Sequence, residues 1–229
     1  MMNESWDDIW SLRTSLYDFL ANSLLEPIEG PHTVAFTRKF WEEFPVECAN
    51  AQMESGLEQL LNCSSKLEAL SDEDAKKSVM VEYTELFLGP GLPKAPLFES
   101  LYRTNEKIHF GWTTFAMKQL LHANGLESKR KNQQPEDHIG LQLMLLSVLS
   151  QQLTALEQNQ QLSRIKEQIS FIDEHLLSWI HELYRDAKEN GTIGFYSGLI
   201  ELIWGILQWD RELMQEFIES SERAAVSSI

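Results

Sequence analysis

Apolar residues return at three- and four-residue steps along most of this chain, and nowhere do they alternate in twos. Trp6, Ile9, Trp10, Leu12, Leu16, Phe19, Leu20 and Leu24 show the pattern first. That period puts a stripe on one side of a helix, whereas a half-buried strand needs alternation. Strong helix formers dominate and β-branched alternation is missing, so no stretch reads as a strand. The pattern predicts an all-α bundle. At 229 residues it is one domain over 1–229, or one with two lobes.

Breakers divide the pattern. "EPIEGP" ends the first helix with Pro27 and Gly30. Short and medium helices are expected over 33–44 and 50–70. Ser71 with Asp74 three residues on, in an acidic cluster, writes a helix start. That helix should reach Leu88, where Gly89-Pro90 stops it. Another is expected from near Asn105 to Asn124-Gly125. "LESKRKNQQP" is polar and locally basic, which marks about 126–135 as a hinge. Pro135 is expected to open a helix to about Gln158. A helix over 162–189, broken near Asp173, and a last one over 194–219 complete the set. The tail "SERAAVSSI" is expected to fray. Gly140, Gly198 and Gly205 fall inside helices, where each costs about 1 kcal/mol relative to Ala; close helix-to-helix or helix-to-ligand approach would compensate.

Composition removes several function classes. Asp and Glu number 35 against 19 Lys and Arg, a formal charge of −16. Phosphate backbones and anionic lipid need a basic face, so nucleic acid and membrane surfaces are poor partners. Basic partners suit this charge, although acidity also serves solubility alone. Cys48 and Cys63 match no metal or redox spacing, which fits a reducing compartment. The start "MMNESWDDIWSLR" has no basic region followed by an apolar one, so no signal peptide is expected. The uncharged run from Ile139 to Leu156 is long enough to raise a membrane span, but its amides and hydroxyls read as a buried helix. The six histidines form no HExxH and no three- or four-residue pair, so no metal is expected. No GxSxG elbow is present, and "GPGLPKA" lacks the Gly-Lys-Ser/Thr of a phosphate loop. No cofactor and no catalytic set is expected.

Two stretches stand apart. "YTELFLGPGLPKAPLFESLY", from Tyr83 to Tyr102, is apolar yet punctuated by Gly and Pro over about 88–104. Prolines fix a backbone before a partner arrives, so a binding surface of this kind loses little entropy on docking. The competing reading is a rigid connector whose Leu and Phe pack into their own bundle. "QPEDHIG", residues 134–140, places Asp137 and His138 side by side at a helix start. Adjacent helical residues diverge by about 100°, so the pair cannot easily act on one atom. The plainer reading is an acidic helix start with a satisfied histidine.

Together these stretches resemble the TorD/DmsD/NarJ family, closest to its TorD/DmsD branch. "EYTELFLGPGLPKAPLFESLYR" is similar to the family's Y-x-x-L-F-x-G-P…A-P-x-x-E-S-x-Y segment. "PEDHIGLQLMLLSVL" resembles its E-x-D-H helix start, and "HLLSWIHELYRDAKENGTIGFYSGLIELIWGIL" its C-terminal pattern. Order and spacing agree over about 80–210. Leu97 stands where a second proline is common, and Gln142 replaces a frequent Glu.

The resemblance implies a cytoplasmic, all-helical, client-specific chaperone without turnover. Its partners would be an apo-molybdoenzyme catalytic subunit and that subunit's twin-arginine signal peptide, held until the molybdopterin cofactor is inserted. The implied signal-peptide or client-binding positions are Tyr83, Leu86, Phe87, Gly89, Pro90, Pro96, Leu97, Glu99, Tyr102, Asp137 and His138. Chemistry fits: arginines seek carboxylates such as Asp137 or Glu99, and an apolar stretch seeks apolar area such as Leu86, Phe87, Leu97 or an adjacent Trp. A titrating His138 would make affinity change across neutral pH. Two rivals stay open, an assembly scaffold or subunit of an oxidoreductase and an Asp137/His138-dependent hydrolase or isomerase. Monomer and helix-swapped dimer are both compatible with the hinge.

Overall fold

Helix signals in the sequence become ten α-helices in the computed structural model, which describes residues 5–89, 91–103, 111–128 and 135–227. Helix α1 (Trp6–Leu25) begins at a reciprocal cap: Ser5 accepts from the Asp8 amide, and the Asp8 carboxylate accepts from the Ser5 amide. Residues 33–44 depart from a single helix. A 3₁₀ segment, Gly30–Phe36, precedes a five-residue α2 (Arg38–Glu42). Pro31 starts the first without a side-chain cap, and Thr37 stops it and caps the second through the Phe40 amide. Asn50 caps α3 (Ala51–Leu67) in the same way.

Ser71 starts α4 (Asp72–Tyr83), as its spacing predicts. The helix does not stay regular to Leu88, because Thr84–Leu88 widens into a π-turn. The apolar loop then gives way to a short α5 (Glu99–Arg103), so its last part is helical rather than open. Helix α6 spans Trp112–Ala123. The expected start near Asn105, Pro90 and most of the proposed hinge lie outside the described residues. Helix α7 (Ile139–Leu153) starts four residues later than Pro135 suggests. The cause is a two-bond bridge: Glu99 N donates to Asp137 O (3.1 Å) and Ile139 N to Leu97 O (2.9 Å). That bridge holds His138 extended, and His138 becomes the cap. Among the described residues it is the sole strand-like pairing.

Helix α8 (Gln158–Ile172) breaks at Asp173 as expected, into a second π-turn over Asp173–Leu177, before α9 (Ile180–Asn190). Helix α10 (Phe195–Ser227) runs past the predicted end into the tail.

Two helix pairs carry the core: α1 lies along α7, and α3 along α10. The intrahelical glycines explain how closely they approach. A Cβ on Gly205 would sit 2.5 Å from the Met53 amide nitrogen, and one on Gly140 would meet Leu25 at 2.6 Å. Gly198 is similarly pressed by Gln59 and Leu60. Gly56, which the sequence pattern did not single out, faces the Leu202 amide nitrogen at 2.5 Å. A buried ion pair joins α1 to α10: Arg13 and Tyr17 both reach Asp210, at 2.5 and 2.6 Å. No described helix is long and apolar enough to cross a membrane.

Candidate functional site

The family-like stretches meet in space around one buried carboxylate. Glu99 opens α5 and is fully buried. Its Oε2 accepts from Gln142 Nε2 at 2.7 Å and lies 3.0 Å from His175 Nδ1. Its Oε1 takes Arg103 Nη1 at 2.7 Å. Three helices and a π-turn therefore converge here: α5 brings Glu99 and Arg103, α7 brings Gln142, and the second π-turn brings His175. Helix α6 adds Trp112, whose ring lies 4.8 Å under the Arg103 guanidinium. Tyr102 stacks on Trp179 of the short link before α9, centroids 5.3 Å apart. Burial and nearby Asp186 hold the Tyr102 hydroxyl well above its ordinary pKa, so it stays protonated.

Asp137 is the second hub. It is fully buried and accepts three hydrogen bonds, from Ser100 N (2.6 Å), Thr113 Oγ1 (2.9 Å) and Thr114 Oγ1 (2.8 Å). These donors start α5 and α6, so one carboxylate ties two helices to the beginning of a third. His138 points differently. Its Nδ1 accepts from Gly140 N at 3.0 Å, and its ring meets Phe98 edge-on at 5.1 Å. An Nδ1 that accepts is the unprotonated nitrogen of the ring. A proton there would forfeit the cap and set a cation at the positive end of α7.

Tyr83, Leu86 and Phe87 lie elsewhere in the core. Tyr83 donates to Leu24 O at 3.0 Å and packs with Phe87 and Tyr196, centroids 5.1 and 5.4 Å away. Leu86, Pro96 and Leu97 are buried, and Gly89 is half-buried. The connector reading thus holds for most of the apolar stretch. Glu82, which precedes the loop in α4, is buried too. It accepts from the amides of Ile193, Gly194, Phe195 and Tyr196 at 2.7–3.1 Å, a remote cap on α10.

In this structure the Asp137 and Glu99 carboxylates meet internal groups. Both are fully buried: three internal donors bond Asp137, and Arg103, Gln142 and His175 enclose Glu99. The sequence reading also passed over what is exposed. Among the described residues, six of the eight exposed large apolar side chains fall between 80 and 115: Met80, Val81, Leu88, Leu92, Trp112 and Phe115. Trp112 and Phe115, at 53% and 63% exposure, stand one turn apart on α6. That i, i+3 pair was visible in the sequence as an apolar pair, but nothing in its spacing tells core from surface.

Residues 47–185 match the family described as the nitrate reductase delta subunit. The chain belongs to that family. Within the nitrate reductase delta subunit family its curated relatives are chaperones of the TorD/DmsD branch. It is 30% identical to the chaperone protein TorD of Vibrio cholerae over 176 residues, 73% of this chain and 80% of that one. It is 28% identical over 149 residues to a protein of Haemophilus influenzae named "Probable Tat proofreading chaperone DmsD", 65% of this chain and 68% of that one. A TorD of Psychrobacter is 19% identical over 225 residues, 95% of this chain and 98% of its own. Both hubs, the two π-turns and the exposed α6 pair fall inside the family match.

Proposed function

We propose that this protein is a cytoplasmic chaperone that binds the twin-arginine signal peptide, the apo form, or both, of a molybdopterin-dependent oxidoreductase. It would hold that client until the cofactor is in place and then release it. The observation that carries this reading is the concentration of exposed apolar side chains between 80 and 115, inside the family match. Exposed apolar area set close to ionic groups suits a ligand with an arginine pair followed by an apolar stretch. An overall charge of −16 steers such a basic segment toward the protein. The relatives' names, chaperone protein TorD and probable Tat proofreading chaperone DmsD, support a chaperone role and a client that carries a Tat signal.

In this reading the buried motif residues act beneath the docking face. Asp137 and His138 fix α5, α6 and α7, Glu99 holds Arg103, and Tyr83, Leu86, Phe87, Pro96 and Leu97 seat the loop. The contact itself falls to Leu88, Leu92, Trp112 and Phe115. No turnover is required of Asp137, which is fully buried and bonded by three internal donors. The description of the family as a subunit favours a second reading, a permanent scaffold of an oxidoreductase. Co-purification with cofactor-loaded enzyme would favour the scaffold, whereas a chaperone parts from its mature client.

Calorimetric titration with a synthetic twin-arginine signal peptide tests the proposal, beside the same peptide with both arginines changed to lysine. Saturable binding to the first and weaker binding to the second are expected. Trp112→Ala and Phe115→Ala should each weaken binding about tenfold, as exposed aromatic anchors do, without lowering the melting temperature. Absence of binding to signal peptides from several molybdoenzymes would sink the signal-peptide reading.

A further inference from the structure

The Arg103 guanidinium lies in a setting built to recognise a guanidinium. A fully buried carboxylate, Glu99, offers Oε1 at 2.7 Å. The main-chain carbonyl of Glu174, within the second π-turn, accepts from the same Nη1 at 2.5 Å. The Trp112 ring supplies a cation–π face at 4.8 Å. Each part is held in place by something else. Glu99 Oε2 is fixed by Gln142 and His175, so the carboxylate cannot swing away. The Glu174 carbonyl is also bonded by Ser178 Oγ at 2.7 Å. The site is thus more rigid than its occupant, which is a flexible side chain at the end of a five-residue helix. Arg103 keeps 27% of its side-chain surface exposed, and Trp112 is half exposed, so the pocket opens to solvent.

We infer that Arg103 is an internal stand-in, and that this pocket takes an arginine side chain from a bound peptide in its place. Exchange of one guanidinium for another leaves Glu99 paired, the carbonyl bonded and the indole covered. Little is therefore lost when the occupant changes, whereas emptying the pocket would strand a buried carboxylate. The tethered arginine competes at an effective concentration in the millimolar range. A peptide prevails only if it adds contacts of its own, which the exposed apolar side chains nearby in sequence can supply. Arg103 then acts as a filter that rejects stray basic segments. This consequence rests on the signal-peptide reading, but the pocket itself does not.

Two measurements separate the pocket from its use. In the first, the Trp112 indole N–H resonance, assigned by comparison with Trp112→Phe, is followed in folded Arg103→Ala during titration with N-acetyl-arginine amide. A saturable shift with a midpoint in the millimolar range is expected. It should be absent with N-acetyl-lysine amide, absent in Arg103→Ala/Glu99→Gln, and displaced to higher concentration in the wild type. Arg103→Gln, which can still hydrogen-bond Glu99, serves if Arg103→Ala does not fold. No saturation in either variant, or an equal response to the lysine analogue, overturns the inference. In the second, twin-arginine signal peptide should bind Arg103→Ala roughly threefold to tenfold tighter than wild type, because the competing state is gone. The twin-lysine peptide should gain nothing. A pocket that captures arginine amide while neither form binds the peptide leaves the site standing and fells the signal-peptide reading. Peptide binding without arginine-amide capture does the reverse.

Discussion

At the scale of single residues, the side chains that mark the family are mostly buried supports. Asp137 shows why this matters for any experiment. It joins Ser100, Thr113 and Thr114, and removal leaves three buried donors without an acceptor. Asp137→Ala should lose about 3 kcal/mol of stability, read from the urea midpoint at unchanged slope. Asp137→Asn, which keeps one acceptor oxygen, should lose less. A drop in client binding by Asp137→Ala is thus first a loss of order in α5 and α6. An unchanged urea midpoint would instead show that these donors find water. The sequence made Asp137 and His138 visible as an unusual pair at a helix start, and the structure places them there with internal hydrogen-bond partners. It could not show that the partners of Asp137 lie 23 to 37 residues away. Long-range hydrogen bonds leave no periodic trace, so Gln142 and His175 around Glu99 were equally silent.

At the scale of elements, the helices were legible and their irregularities were not. Apolar period, caps and breakers placed α1, α3, α4 and α10 because those signals are local. A π-turn inserts one residue into a turn, too small a phase slip to register in an apolar stripe. Thr84–Leu88 therefore read as plain helix, and Asp173–Leu177 only as a break. Both sit beside the candidate site, and widened turns of this kind recur at functional sites. The late start of α7 has a different cause, since a bridge to Leu97 and Glu99 overrides the preference of Pro135 for a first helical turn. Helix contact was partly legible through Gly198 and Gly205. Gly56 closes the same α3–α10 seam against the Leu202 backbone, a close approach that leaves no periodic signal. Gly56→Ala and Gly205→Ala gain helix propensity of about 1 kcal/mol. They also push a methyl to 2.5 Å from backbone nitrogens, which cannot yield as a side-chain tip can. A net loss of about 2 kcal/mol is expected from the overpacking, seen as a lower melting temperature. Equal or higher melting temperatures would mean that α3 and α10 slide apart without cost.

At the scale of the whole molecule, the surface is strongly acidic while the core protects a few groups that must stay protonated. Tyr17 is raised well above its ordinary value by burial and by Asp210, to which it donates. The Cys63 thiol is pushed up to about 12 by burial, with Glu82 adding to the effect. The two lie on different helices, α1 and α3, so alkaline titration strains the bundle at more than one place. For a group whose folded pKa is raised, the folded state binds the proton more tightly than the unfolded chain. Its contribution is fully present below the unfolded value and is lost as pH climbs through the folded one. For Cys63 that window opens near 9.0 and closes near 12. Thermal stability should therefore hold between pH 8 and 9 and fall steadily above, and Cys63→Ala should fall less steeply over the same range. The same burial sets thiol reactivity. A disulfide-exchange reagent at pH 8 should modify exposed Cys48 at once. Buried Cys63 should react only as fast as its surroundings on α3 open. Prompt modification of both thiols in native protein would show that Cys63 is not shielded, and would remove the basis for the alkaline slope.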